Sequence, residues 1–333
     1  MATSAETYDT TPPTAYDTTP PTGKEGLLEV AEVQAPLARR LGAEFLGTLL
    51  LVAIGTGAAT AYLRGPIVLS EQLPDALRQV PEQLAIFNAL LSVSLSDLVP
   101  VAIAFAFTLA FIVYAFGGVS GGHFNPAVTF GLAVSRRFPF AEAPLYMLAQ
   151  VLGGIAGAFI VAGIFNETGA IVGDQQILFG APRVADGVEF WQATLAETLI
   201  TFGLMMAIMA VAVDRRAPKG WSGLVIGMAL GAGLLATGPI SGGSANFART
   251  LGPYVAALPF DGVKVPWGDL LVYAVGPLVG ATAAVFTYES ISGMERVAPA
   301  PSPGAATHGE EIIDVSAGAE TTATAPREDP RTP

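Results

Sequence analysis

Six stretches of this 333-residue chain contain no Asp, Glu, Lys or Arg: 45–63, 98–135, 143–166, 198–213, 220–248 and 270–288. A helix needs about 20 mainly apolar residues to cross the core of a bilayer. At that depth the backbone must satisfy its own hydrogen bonds, which favours helices. These stretches predict six membrane-crossing helices over roughly 41–62, 98–117, 143–164, 190–213, 221–239 and 269–290. A large soluble protein with buried helices is the weaker reading. Only 13% of the residues are charged, about half the share usual in a soluble domain.

The net charge of −12 belongs mostly to the ends. Residues 1–38 carry six acids and one base, and residues 294–333 carry seven acids and three bases, leaving −3 for the rest. Both ends are rich in Pro, Thr, Ala and Glu, and the first repeats YDTTPPT from Tyr8 and Tyr16. That composition predicts disordered tails over 1–38 and 293–333, flanking one channel-sized domain over 39–292. An acidic chain disfavours nucleic acid as a partner. The absence of cysteine excludes disulfides, thiolate metal sites and a cysteine nucleophile, and two histidines are too few for a histidine-rich metal site. No acid–base or nucleophile constellation shares a loop, so neither an enzyme nor a cofactor is expected.

Basic residues near the spans indicate orientation. Arg39 and Arg40 precede span one, Arg136 and Arg137 follow span two, and Arg215, Arg216 and Lys219 follow span four. Arg296 follows span six, whereas the other side has Arg64, Arg78, Arg183 and Lys264, mostly in longer loops. Both termini are therefore expected in the cytoplasm, with the chain in a plasma or inner membrane.

Two apolar segments are too short to span. One is Ser120-Gly-Gly-His123-Phe-Asn125-Pro126-Ala127-Val-Thr129, after span two. The other is Ser241-Gly-Gly-Ser244-Ala-Asn246-Phe247-Ala248-Arg249-Thr250, after span five. Asn is a favoured helix N-cap, and Pro suits the position after it because it lacks an N–H. Each segment thus predicts a half-helix of about ten residues, allowed at membrane depth only inside protein or against water. The halves also match each other: Ala43-Glu44 in span one answers Ala196-Glu197 in span four. The second copy follows three spans, an odd number, so the repeats (about 39–165 and 190–292) are expected to be inverted across the membrane. The distance from Glu to Asn is 81 residues in the first copy and 49 in the second. The excess falls in the loop 63–97, where a surface helix near 82–96 is predicted.

Arg249 is the sole base in its apolar stretch, and an intramembrane charge is a functional hypothesis by default. Glu44 and Glu197 fall mid-span, where an unpaired carboxylate costs several kcal/mol. Each therefore needs donors.

These motifs resemble the aquaporin and glycerol-facilitator family, the major intrinsic proteins, over roughly 39–292. SGGHFNPAVTFG carries the family's first motif intact; the second keeps Asn246, Ala248 and Arg249 but has Phe247 where the family has proline. The resemblance implies an all-α membrane protein, with six transmembrane helices plus two re-entrant half-helices in an inverted repeat. It implies that Asn125 and Asn246 meet at mid-membrane and donate into a pore. It also implies a homotetramer with one pore per subunit.

The residue roles follow from that likeness. Pro126, Ala127, Phe247 and Ala248 complete the two motifs, and Arg249 lines a filter near the outer mouth. Spacing from the two Asn residues adds Phe105, Leu234 and Gly243 to that filter. A histidine typical of water channels is missing at Leu234; an aromatic typical of glycerol channels is missing at Gly243. The expected filter has one aliphatic and one open wall, so it is less polar and wider than a strict water filter. Glu44 and Glu197 are expected to hold the re-entrant loops, and Gln150 to bond loop backbone. His123 is expected to line the cytoplasmic half of the pore, and Gly47, Gly153, Gly154, Gly157, Gly276 and Gly280 to permit close helix crossings. Phe247 is expected to keep the helix start but to force repacking against Pro126, with a shift of the Asn pair as one outcome.

The function implied is passive conduction of water and small neutral solutes, without protons or ions. A glycerol facilitator of the same family is the alternative. An ion-coupled secondary transporter, which also uses inverted repeats and broken helices, is a third reading.

Overall fold

The computed structural model describes residues 35–72, 98–172, 174–218 and 220–294. The expected tails and the predicted surface helix near 82–96 lie outside the described residues.

Among the described residues, beside a single four-residue turn at Glu167–Ala170, six long helices are joined by two short ones of 9 and 11 residues. They are α1 (Leu37–Gln72), α2 (Leu98–Ser120), α3 (Pro126–Val134), α4 (Ala143–Phe165), α5 (Phe190–Ile208), α6 (Ser222–Ser241), α7 (Phe247–Ala257) and α8 (Leu270–Ser292). The six long helices all have the length and composition to cross a membrane, with α5 extended to Val213 by a wider π-type turn. By contrast, α3 and α7 have 9 and 11 residues. At 1.5 Å per residue they reach about 14 and 17 Å, roughly half of a bilayer core.

The spans run close to the charge-free stretches, but α1 starts earlier and ends later than the expected 41–62. Charge marks where a chain leaves the bilayer, not where helical hydrogen bonding stops. Arg40 sits in the first turn of α1 because Glu142 neutralises it in a two-pronged ion pair, at 2.7 and 3.0 Å. Between α4 and α5 the structure adds an antiparallel pair, β1 (Ile171–Val172) and β2 (Gln175–Gln176), which the helix-only reading did not include.

Within each repeat the first helix packs on the second and third: α1 on α2 and α4, α5 on α6 and α8. The repeats interlock through their half-helices. α7 lies against α4, and α3 against α8, so each half-helix rests on the third span of the other repeat. Glycine makes the closest crossings possible. A Cβ on Gly153 would lie 2.2 Å from the Phe45 carbonyl oxygen, and one on Gly280 would lie 2.4 Å from that of Thr198. Gly157 and Gly276 face neighbouring helix backbone in the same way, and Gly154 faces the Ala248 carbonyl of α7. Gly47 differs from the expectation: it accommodates the Phe124 ring of the re-entrant loop rather than another helix.

Large apolar side chains cover the outside. Phe107, Ile164, Leu199 and Met228 are each at least 60% exposed. A surface of that kind on six membrane-length helices is suited to lipid. The chain is a multi-pass membrane protein.

Candidate functional site

The two loops that enter the half-helices are built alike. Gly121 and Gly122 have φ of +92° and +68°, and Gly242 and Gly243 have +76° and +58°. Only glycine takes this left-handed backbone readily. The turn then forces Phe124 (φ 49°) and Ala245 (φ 55°) into the same region, at a cost of order 1 kcal/mol or more each. Something must hold them there.

Glu44 holds the first loop. Its Oε1 accepts from Ser120 Oγ at 2.6 Å and from the His123 N–H at 3.0 Å. Its Oε2 accepts from the Phe124 N–H at 2.7 Å and from Gln150 Nε2 at 2.8 Å. Glu197 repeats the arrangement. Oε1 accepts from Ser241 Oγ at 2.6 Å and the Ser244 N–H at 2.9 Å, and Oε2 accepts from the Ala245 N–H at 2.7 Å. A buried carboxylate is tolerated when donors surround it in this way. Gln150 differs from its expected role. It bonds the Glu44 carboxylate and Thr129 Oγ1 (2.9 Å), not loop backbone, because α4 runs beside the carboxylate.

Several partners went unassigned in the sequence reading. Tyr146 Oη donates to the Ser120 carbonyl at 3.0 Å, and Tyr273 Oη to the Ser241 carbonyl at 2.7 Å. Thr129 and Thr250, each four residues after an Asn, bond the residue two before it: His123 Nδ1 at 3.1 Å and Ser244 Oγ at 2.6 Å. The signal was present, since each of these residue types recurs in both repeats.

Each Asn caps its half-helix. Asn125 Oδ1 accepts from the Ala127 N–H at 2.9 Å; Asn246 Oδ1 accepts from the Ala248 and Arg249 N–H groups at 3.0 and 3.3 Å. The side-chain amides then cross over. Asn125 Nδ2 donates to the Ala245 carbonyl at 2.7 Å, and Asn246 Nδ2 donates to the Phe124 carbonyl at 2.9 Å. A carboxamide has two N–H donors, so each keeps one for the cavity that both residues border. Phe247 does not disturb the pair. The φ of Asn246 is −153° against −154° for Asn125, and its cap is formed without the proline.

The cavity measures about 560 Å³. Phe105, His123, Asn125, Ser244, Asn246 and Arg249 are among its walls. His123 is nearly buried, with its ring against Phe138 and Tyr146 at 4.9 and 5.3 Å. Arg249 is 3% exposed, and its guanidinium lies 4.8 Å over the Phe105 ring. Its Nη1 is buried with no hydrogen-bond partner among the described residues. Buried guanidinium donors without a partner are uncommon and need an explanation, and this one belongs to a residue that borders the cavity.

Leu234 and Gly243 are brought together but are not among the walls of this cavity. A Cβ on Gly243 would sit 3.1 Å from Leu234 Cα and 3.3 Å from Thr237 Oγ1. The expected open wall is thus partly filled, because Leu234 and Thr237 occupy the space a side chain would have taken. Pro126, Ala127 and Ala248 are buried at the half-helix starts.

The family model for the major intrinsic protein matches residues 31–288. Among curated relatives, the chain is 40% identical over 257 residues to aquaporin AqpM of Methanothermobacter thermautotrophicus, covering 77% of this chain and 98% of the relative. It is 36% identical over 254 residues to aquaporin TIP2-1 of Arabidopsis thaliana, covering 75% and 85%. In fold it is similar to the X-ray structure of the aquaglyceroporin from Plasmodium falciparum, with a TM-score of 0.61 and 22% identity over 77% of this chain and 97% of that one. The paired carboxylates, the crossed asparagines and the match over most of its length place the chain in the major intrinsic protein family.

Proposed function

We propose that the chain is a passive channel that conducts water and other small neutral solutes and excludes protons and ions. The observation that carries this reading is the convergence of both half-helix N-termini, both Asn amides and the Arg249 guanidinium on one cavity. Helix N-termini bear positive partial charge. A cation entering that cavity is repelled, while a water molecule turns its oxygen toward both amides. In that orientation its two hydrogens point away along the pore. A continuous donor-to-acceptor wire is broken, so water passes and protons do not.

Phe105 gives the cavity wall beside Arg249 an apolar side, and Leu234, packed behind Gly243, brings no histidine donor. This favours glycerol or a similar solute as a second permeant. A coupled transporter needs acidic groups available to a coupling ion. Glu44 and Glu197 are instead engaged by loop donors on every oxygen, which supports passive conduction.

Proteoliposomes shrunk or swollen by sucrose and then by glycerol test the reading. Water flux above that of empty vesicles is expected, with slower glycerol entry. Flux equal to empty vesicles, or uphill accumulation driven by an ion gradient, would overturn it. By resemblance to the family we also assign a homotetramer, a plasma or inner membrane, and cytoplasmic termini. Native mass measurement and protease accessibility in oriented vesicles test these.

A further inference from the structure

The segment that follows β2 is anchored with unusual care. Leu178 and Phe179 are fully buried, and with Gly180 they take left-handed backbone, at φ of 50°, 51° and 69°. A Cβ on Gly180 would lie 2.5 Å from the Thr56 carbonyl oxygen, so the chain presses directly on α1. The next residues are tied to three further elements. The Pro182 carbonyl accepts from Tyr254 Oη of α7 at 3.0 Å. The Val184 N–H donates to Asp269 Oδ2, at the start of α8, at 3.0 Å. The Ala185 N–H donates to the Ile240 carbonyl of α6 at 3.0 Å.

These anchors bear on the filter. A Cβ on Gly242 would lie 2.7 Å from Pro182 Cβ and 3.0 Å from the Arg183 nitrogen. On the neighbouring residue, Gly243, a Cβ would meet Leu234 at 3.1 Å. The Gly242–Gly243 ribbon is therefore gripped between Pro182 and Leu234. A wall made of side chains has a width fixed by their volume. A glycine ribbon stands wherever its two neighbours hold it, and this one leads directly into Ser244 and Asn246, which are walls of the cavity. Tyr254, fully buried, lies on the same half-helix as Arg249, so the bond to Pro182 also references the brace to the filter cation.

We propose that residues 182–185 brace the outer filter from behind, and that Tyr254 and Asp269 are positioning residues that set its aperture through Pro182 and Val184. Neither side chain touches solute in this role. The proposal rests on the channel reading above and adds to it the device that sets solute size.

The test uses full-length protein in proteoliposomes, with water and glycerol fluxes measured on the same preparation. Tyr254→Phe removes only the hydroxyl, and Asp269→Ala removes the acceptor of the Val184 N–H. Losing one such bond favours a released loop by about fivefold, so each variant is expected to raise the glycerol-to-water permeability ratio by about that factor. Asp269→Asn keeps an oxygen acceptor and is expected to retain the wild-type ratio. A merely structural role would lower folded yield and both fluxes together, leaving the ratio unchanged; that result overturns the brace. Should Tyr254→Phe fail to fold, the partly exposed Asp269 decides through its Ala and Asn variants. If wild-type protein itself moves no more water than empty vesicles, the channel reading falls and the brace falls with it. If the wild type conducts and the ratios do not move, only the brace falls.

Discussion

The guanidinium of Arg249 lies 4.8 Å over the ring of Phe105, a residue 144 positions earlier in the chain. The ring face attracts the cation and holds it in place without a carboxylate. Among the described residues no carboxylate hydrogen-bonds the guanidinium, and Glu197 acts on it only through space. Arg249→Val is expected to keep the water pathway but to raise cation leak by about tenfold or more, since a charge at this range in a low-dielectric site is a barrier of more than 1 kcal/mol. Dye-reported cation flux in vesicles checks this, and an unchanged leak through intact protein refutes the barrier role.

Leu234→His is expected to lower glycerol permeation severalfold relative to water. The imidazole adds a donor where Leu234 now fills the space beside Gly243, and a polar constriction favours the smaller permeant. Glycerol entry that does not change would show that position 234 has no bearing on solute choice.

Glu44→Gln and Glu197→Gln each place a donating NH2 where an oxygen now accepts. Glu44 takes four hydrogen bonds, two of them at Oε2, from the Phe124 N–H and Gln150. Leaving buried donors unpaired costs about 1–3 kcal/mol, so both variants are expected to melt several degrees lower in detergent. Glu44→Gln should suffer more, because among the described residues Glu197 has no counterpart of the Gln150 bond. Equal melting of both variants and the wild type would show that the carboxylates do not hold the loops.

Gly280→Ala is expected to reduce folded yield and melting temperature. Its Cβ would lie 2.4 Å from a backbone oxygen that cannot move alone, and overpacking of this kind costs typically 1–3 kcal/mol. Gly163→Ala, where nothing lies within 4 Å, serves as the control and should behave like the wild type.

Mercurial compounds should leave water flux unchanged, because the chain has no cysteine. Stopped-flow measurement before and after treatment checks this. Inhibition would require attack on some other group.

The repeats made much of the fold legible in sequence. Charge-free stretches located the helices, and the two copies of Ser-Gly-Gly before Asn located the half-helices. A residue that appears in both copies announces a shared structural task, as Glu44 and Glu197 do. What stayed hidden lacks that redundancy. Phe105 was named from spacing, but its stacking under Arg249 depends on two rotamers. Gln150 was placed near the loop, yet its partner is a carboxylate on a different helix. Gly47 looked like the other helix glycines, and only the packed loop shows that it makes room for Phe124. The contact between Tyr254 and Pro182 joins residues with no pattern in common. Nor could spacing show that Phe247 leaves the cap intact, since the capping oxygen belongs to Asn246.

The crossed bonds of Asn125 and Asn246 have a consequence for how the molecule is made. Their acceptors lie 120 and 122 residues away in sequence, and loop closure over such distances is slow compared with forming local helices. During synthesis the first repeat can insert all its spans while its half-helix still lacks the carbonyl it will bond. The conducting centre can therefore assemble only after residue 246 has left the ribosome. A truncated first half is expected to sit in the membrane as helices that lack the crossed asparagine bonds of the finished protein.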